Sequence, residues 1–163
     1  MMINSTSITK LIANLFLIIS NICINNSWSM KKVLFACVEN SCRSQMAEGF
    51  ANIHGTNILV PFCTGSKASG EINNKAVIAM KEIGYDLTQH KSKGLEEFTD
   101  SKFDYLITLG CKDECPNIDT KFSKEWDIPD PKNMNLEDFY KVRDLIEKRV
   151  LSLIDEIGQK FQI

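Results

Sequence analysis

Val33-Leu-Phe-Ala-Cys-Val-Glu-Asn-Ser-Cys-Arg-Ser44 is the stretch that decides how this chain folds. Its first five residues, Val33 to Cys37, are apolar and follow Lys31-Lys32, which predicts a short buried strand. From Met46 the apolar residues fall at Met46, Ala47, Phe50 and Ile53, a helical spacing that Gly55 ends. A strand, a tight loop and a helix in that order turn several backbone N–H groups inward at the helix start, making a nest for a tetrahedral anion. Arg43 can add a planar donor fork to the same anion. Cys37 sits at the foot of the nest, where those dipoles and Arg43 favour a thiolate, so it is the candidate nucleophile. Ser44 can donate to its sulfur, and Asn40 can hold the loop in shape. Val38, Glu39, Asn40, Ser41, Cys42, Arg43 and Ser44 are the expected anion-binding set. The competing reading is a structural cysteine beside an unrelated surface arginine. The strand before, the helix after and Ser44 itself favour the nest.

Outward from the loop, the chain has 163 residues, 44% hydrophobic and 25% charged, with a net charge of −2. That composition suits one soluble α/β domain with a substantial core. The faintly acidic balance and the lack of a basic run argue against a nucleic-acid partner. Six cysteines are scattered through a Lys/Glu-rich sequence, which fits functional thiols in a reducing, cytoplasmic setting better than a disulfide scaffold. Residues 1–29 differ from the rest. Leu11 to Ile24 is apolar but broken by Asn14, Ser20 and Asn21, and is short for a membrane span. It lacks a small-x-small cleavage site, and Ile22 is too large for a lipoprotein signal at Cys23. Residues 1–29 are therefore expected to be an extension, either a non-native start upstream of Met30 or a disordered segment. Residues 30–163 are expected to be the catalytic domain, a monomer without a membrane partner.

Downstream, Asn57 to Thr64 reads as a second strand, and Pro61 marks it as an edge. Asn73 or Asn74 can cap a helix bearing Ala76, Val77, Met80 and Ile83, stopped by Gly84. A short segment at Leu95 to Phe98 follows, then a third strand from Asp104 to Gly110 and a short fourth near Lys121 to Trp126. Phe139, Val142, Ile146, Val150, Leu153 and Ile157 form one helical stripe, with Asn135 and Asp138 at its start. Alternating strands and helices predict a parallel sheet that binds ligands at the carboxyl ends of its strands, where Cys37 and Cys111 fall.

Other residues carry chemistry less specifically. Cys111-Lys-Asp-Glu-Cys115 could be half of a zinc site, but His54 and His90 lack the paired spacing to complete it. On a helix, Cys111 and Cys115 would have Cβ atoms about 5–6 Å apart, against about 3.8 Å in a disulfide, so bonding them requires unwinding. Asp127 and Asp130 lie in Trp126-Asp-Ile-Pro-Asp-Pro131, which on its own is a turn. Cys63 reads as core, and His54 and His90 as surface or cap residues.

Cys37-x5-Arg43-Ser44 resembles the signature loop of the low-molecular-weight tyrosine phosphatases and of the arsenate reductases built on the same fold. The continuation Gln45-Met-Ala-Glu-Gly49 is similar to the reductases, since the phosphatases usually carry Pro after the Ser. The likeness runs from Met30 to about Gly158. It implies an α/β fold with a small open parallel sheet of about four strands and helices on both faces. It implies that Cys37 attacks arsenate, that Asp130 (with Asp127 as fallback) protonates the departing oxygen, and that Cys111 and Cys115 relay a disulfide. Thioredoxin or a small thiol would be the external reductant, with no bound cofactor or metal. Cys42 would be a neighbour able to protect Cys37 as a disulfide. Asn40 and Glu48 match two potassium ligands of some reductases, but Lys93 stands at a third, carboxylate position and its ammonium would replace the cation. Where the phosphatases place an aromatic residue after Asp-Pro, this chain has Lys132. The alternative is a tyrosine phosphatase working through a phosphocysteine with the same Cys37, Arg43 and Asp130. A non-enzymatic oxyanion-sensing or thiol-sensing module is a third reading.

Overall fold

The apolar run that opens the domain lies in the middle of its sheet. The computed structural model describes residues 29–111 and 118–160. Four parallel strands, β1 (Lys31–Cys37), β2 (Leu59–Gly65), β3 (Phe103–Leu109) and β4 (Thr120–Trp126), lie in the order β2-β1-β3-β4. The central β1 is hydrogen-bonded on both sides, which is why it tolerates a continuous apolar sequence. Pro61 lies on β2, an edge strand, as its missing N–H demands. Asn57 takes a φ of 67°, a turn conformation, so β2 begins at Leu59 rather than at Asn57.

Alternation along the strands assigns the two faces. Val33, Phe35, Tyr105, Ile107 and Leu109 join one core with helices α1 (Arg43–His54), α2 (Asn74–Glu82) and α3 (Leu136–Gln159). Leu34, Ala36 and Leu106 point to the other face, covered by the 3-10 helix Leu95–Phe98. There Phe62, Phe98 and Phe103 pack edge to face, with ring centroids 5.5 to 6.1 Å apart. All six stripe residues of α3 are buried, and its N-terminus is capped by Asn135, whose side chain accepts from the Asp138 N–H. Asn73 caps α2 in the same way through the Lys75 N–H. Among the described residues, no helix is long and apolar enough to cross a membrane.

α1 begins at Arg43, three residues before its apolar periodicity starts. Arg43 and Ser44 therefore belong to its first turn, and the loop from Cys37 to Cys42 leads straight from the end of β1 into the helix N-terminus. Cys111 follows β3, next to β1 in the sheet, so its strand end adjoins that of Cys37.

Candidate active site

The loop after β1 is held from the outside by its carbonyls. Cys37 O accepts from Ser66 N, Val38 O from Lys67 N, Glu39 O from Ser69 N, and Ser41 O from Asn73 N, at 2.8 to 3.1 Å. Asn40 O accepts from the Gln45 side chain, and Cys42 O from Met46 N. In a trans peptide the N–H points opposite to the preceding carbonyl, and no described peptide bond is cis. With the carbonyls of 37–42 bonded outward, the N–H groups of 38–43 face the other way, into the loop's concavity. Such an inward row of N–H groups has the form of an anion nest, and segments far along the chain hold the loop in that shape.

Side chains fix the rest. Asn40 is fully buried with a φ of 49°, a conformation asparagine tolerates better than most residues. Its Oδ1 accepts from Gln45 Nε2 (2.9 Å) and Lys93 N (2.7 Å), so its Nδ2 is left to donate to Ser44 Oγ at 2.8 Å. Ser44 Oγ in turn lies 2.9 Å from Cys37 Sγ. Either atom can donate while Cys37 keeps its proton, whereas toward a thiolate only the Ser44 hydroxyl can. Gly65 closes the loop from the β2 side, where a Cβ would come within 2.7 Å of Val38 O and 2.8 Å of Asn40 N.

Arg43 is buried at the first turn of α1. Its Nη1 donates to Ile128 O (3.3 Å) and Gly110 O (3.4 Å), and its Nη2 pairs with Asp130 at 3.4 Å. Gly110 has a φ of 66°, and a Cβ there would sit 2.6 Å from Arg43 Nη1. Cys37, Glu39, Ser41, Cys42, Arg43 and Asp130 line one small pocket. Cys111 is buried too, and its Sγ donates to the carbonyl of Ala36, the residue before Cys37, at 3.3 Å. Cys115 lies outside the described residues. Asp127 is not among the residues lining the pocket, whereas Asp130 is.

Burial pushes the Cys42 thiol up to about 11, so it keeps its proton at neutral pH. Glu39 pairs with Lys132 across the pocket rim.

Behind the loop lies a polar cluster of which the resemblance had marked Asn40, Glu48 and Lys93, but not Cys63 or His90. Cys63, expected as plain core, donates to Glu48 Oε2 at 2.7 Å. His90, expected at the surface or as a cap, is half-buried inside this cluster: its Nδ1 lies 3.0 Å from Gln45 Oε1 and 3.4 Å from Glu48 Oε2, and Tyr85 OH lies 2.9 Å from its Nε2. Gln45 uses its amide nitrogen on Asn40 and Lys91 O, so its Oε1 is the acceptor and His90 Nδ1 carries the proton. Burial pushes the Glu48 carboxyl up, but the bonds from His90 and Cys63 and the charge of Lys93 outweigh it and hold Glu48 below the usual carboxylate value. Burial and Glu48 together push the Cys63 thiol well up. Lys93 Nζ is 3.7 Å from Glu48 Oε1, so a lysine ammonium faces the carboxylate that the resemblance associates with potassium. Among the described residues, no three His, Cys, Asp or Glu side chains gather as a metal site. His54, by contrast, pairs with Glu147 of α3 at 2.9 Å, away from the loop.

A cysteine at the end of a central parallel strand, its loop carbonyls bound outward and an arginine in the following helical turn define a phosphatase-like α/β protein with a thiol at an anion nest. The chain belongs to the low molecular weight phosphotyrosine protein phosphatase family, whose model matches residues 32–163. A glutaredoxin arsenate reductase from Synechocystis sp. is 37% identical over 132 residues, spanning 79% of this chain and 100% of that protein. The structure of an arsenate reductase in its phosphate-binding state matches with a TM-score of 0.69 at 36% identity, covering 78% of this chain and 99% of the other. The thioredoxin-dependent arsenate reductase of Corynebacterium glutamicum matches with a TM-score of 0.68 at 25% identity, over 82% of this chain and 65% of that one.

Proposed function

We propose that this protein is an arsenate reductase that uses Cys37 as nucleophile and Cys111 as second thiol. The observation that carries this reading is Cys111 Sγ bonded to Ala36 O, one residue from Cys37 at the same end of the sheet. Hydrolysis through a phosphocysteine needs one sulfur, because water completes the cycle without redox change. Reducing arsenate to arsenite takes two electrons, which two thiols supply by becoming a disulfide.

Arsenate enters the nest as a tetrahedral oxyanion, held by the inward N–H groups of residues 38–43 and by Arg43. The anion draws Arg43 away from Asp130, leaving that carboxyl to deliver a proton to the departing oxygen. Cys37, steadied by the Ser44 hydroxyl, attacks arsenic, and one oxygen leaves as water. Cys111 then attacks Cys37 Sγ and gives up its thiol proton to the departing arsenic oxyanion: the sulfur–arsenic bond breaks, arsenic keeps the electron pair as arsenite, and a Cys37–Cys111 disulfide forms. An external thiol reduces it, either after Cys115 has carried the disulfide outward or by direct attack. The named relatives support both kinds of partner, since one is thioredoxin-dependent and one is linked by name to glutaredoxin. The reaction so drawn uses no metal or bound cofactor and takes place in the cytoplasm of a reducing cell.

The test is Cys111→Ser. It is expected to abolish arsenate turnover while phosphate still protects Cys37 from alkylation. Cys115→Ser is expected to release one arsenite per enzyme and trap a Cys37–Cys111 disulfide visible by peptide mass mapping. Arsenate turnover by Cys111→Ser at the wild-type rate would remove Cys111 from the mechanism and leave Cys37 working with an external thiol alone.

A further inference from the structure

Glu39 is an odd residue to find in an anion nest. It lies between the backbone amides that would hold the substrate, and it lines the same pocket as Cys37 and Arg43. A lone carboxylate there repels an incoming oxyanion. The structure supplies its counter-charge from the other side of the mouth: Lys132, two residues past Asp130, reaches across so that its Nζ donates to Glu39 Oε1. The Lys132 backbone N–H also bonds Asp130 Oδ1 at 3.2 Å, which ties the ion pair to the Asp130 segment.

The pair also stands on a boundary. Beside the small pocket, of about 10 Å³, runs an open groove of about 380 Å³ that reaches Ser69, Glu71 and Asn73. Glu39 and Ser41 line both cavities, and Lys132 lines the groove. An oxyanion seated at Cys37 could extend an organic substituent into the groove only past this shared wall. Glu39 and Lys132 span that wall.

We propose that the Glu39–Lys132 ion pair selects the substrate: it confines the pocket to free inorganic oxyanions by closing it against the groove, so that phosphate monoesters enter only when the pair is broken. Lys132 has a second effect in this arrangement, since it neutralises the carboxylate that would otherwise oppose any anion. The inference rests on the reading of the Cys37 loop as an oxyanion pocket and adds the device that narrows its choice. Both residues are half-exposed and outside the apolar core, so their replacement leaves the fold intact.

The experiment measures protection of Cys37 from iodoacetamide, located by peptide mapping, in the full chain. The probes are inorganic phosphate and phenyl phosphate, and the readout is the ratio of their half-protecting concentrations. In the wild type, phosphate is expected to protect at concentrations at least ten-fold below phenyl phosphate. In Glu39→Gln/Lys132→Ala the ratio is expected to fall toward one. Lys132→Ala alone leaves Glu39 unopposed and is expected to weaken phosphate about two- to five-fold, the range of an exposed ion pair. Equal protection by both probes in the wild type, or an unchanged ratio in the double variant, overturns the inference. If phosphate fails to protect wild-type Cys37 at all, the pocket reading itself falls and takes this inference with it.

Discussion

Ser44 has one proton to give, and its neighbours decide where it goes. Asn40 Nδ2 occupies the acceptor side of the hydroxyl, because Asn40 Oδ1 is already taken by Gln45 and Lys93. His90 sets Gln45 by donating to its Oε1. The result is a chain of hydrogen bonds from His90 through Gln45, Asn40 and Ser44 to Cys37 Sγ, in which the Ser44 hydroxyl donates to the sulfur whenever it carries the negative charge, during attack on arsenic and when Cys37 is a leaving group. A hydrogen bond to a charged group contributes about 1.5–3 kcal/mol. Ser44→Ala is therefore expected to lower kcat/KM for arsenate about ten- to a hundred-fold with an unchanged unfolding midpoint, measured by steady-state turnover beside urea unfolding. An unchanged rate would mean that the hydroxyl only packs. Cys37, Arg43, Ser44 and Asn40 were legible in the sequence because they fall within eight residues and their loop is local. Cys63 and His90 were not, and Gln45, Glu48 and Lys93 were marked only through the family resemblance, because their contacts join residues 15 to 46 positions apart. A polar residue in a helical or strand pattern gives no sign of such a partner.

Those same residues bind elements to one another. Glu48 on α1 meets Cys63 on β2 and both His90 and Lys93 on the connection before β3, so one buried carboxylate clamps three parts of the fold. Its folded value is held below that of the unfolded chain, so its contribution is present above the unfolded carboxylate range and is lost as pH falls through the folded value. Glu48→Gln is expected to lower stability by about 2 kcal/mol at pH 7. In urea titrations the gap to the wild type should shrink at acid pH, and a gap that stays constant with pH would remove the carboxylate from the account. Cys42 and Cys63 act in the opposite sense. Their folded values are raised, Cys42 to about 11, so their burial stabilises fully below the ordinary thiol value and that gain disappears as pH rises through the folded one. Element positions were easier to read than element joins. The α3 stripe and the edge role of Pro61 followed from periodicity and from proline's missing donor. The start of α1 at Arg43 did not, because the first turn of that helix carries polar residues chosen for the nest and not for the core.

Across the whole molecule, the order β2-β1-β3-β4 brings the ends of β1 and β3 together, which is why residues 37 and 111 can act as a pair although 74 positions separate them. Alternation of strands and helices was enough to foresee a parallel sheet, but not how its second face is covered, since the Phe62–Phe98–Phe103 cluster unites three separate segments. The extension before Met30 is a question at the same scale. Residues 1–28 and the position of Cys23 lie outside the described structure, so the sequence expectation that this segment is dispensable stands as a proposal. Three facts support it. The first strand starts at Lys31, whose N–H is bonded to Ile58 O. Met30 is 45% exposed, so it adds little to the core. The match to the family starts at residue 32, and 79% of this chain covers the Synechocystis relative from end to end. A chain beginning at Met30 is therefore expected to match the full one in soluble yield, urea midpoint and arsenate turnover, each within about two-fold, a difference of about 0.4 kcal/mol. The midpoint is the decisive measurement, because an extension that packed on the core would lower it when removed, whatever its effect on yield. A midpoint that falls, or a shortened chain that does not fold, would place residues 1–29 inside the domain.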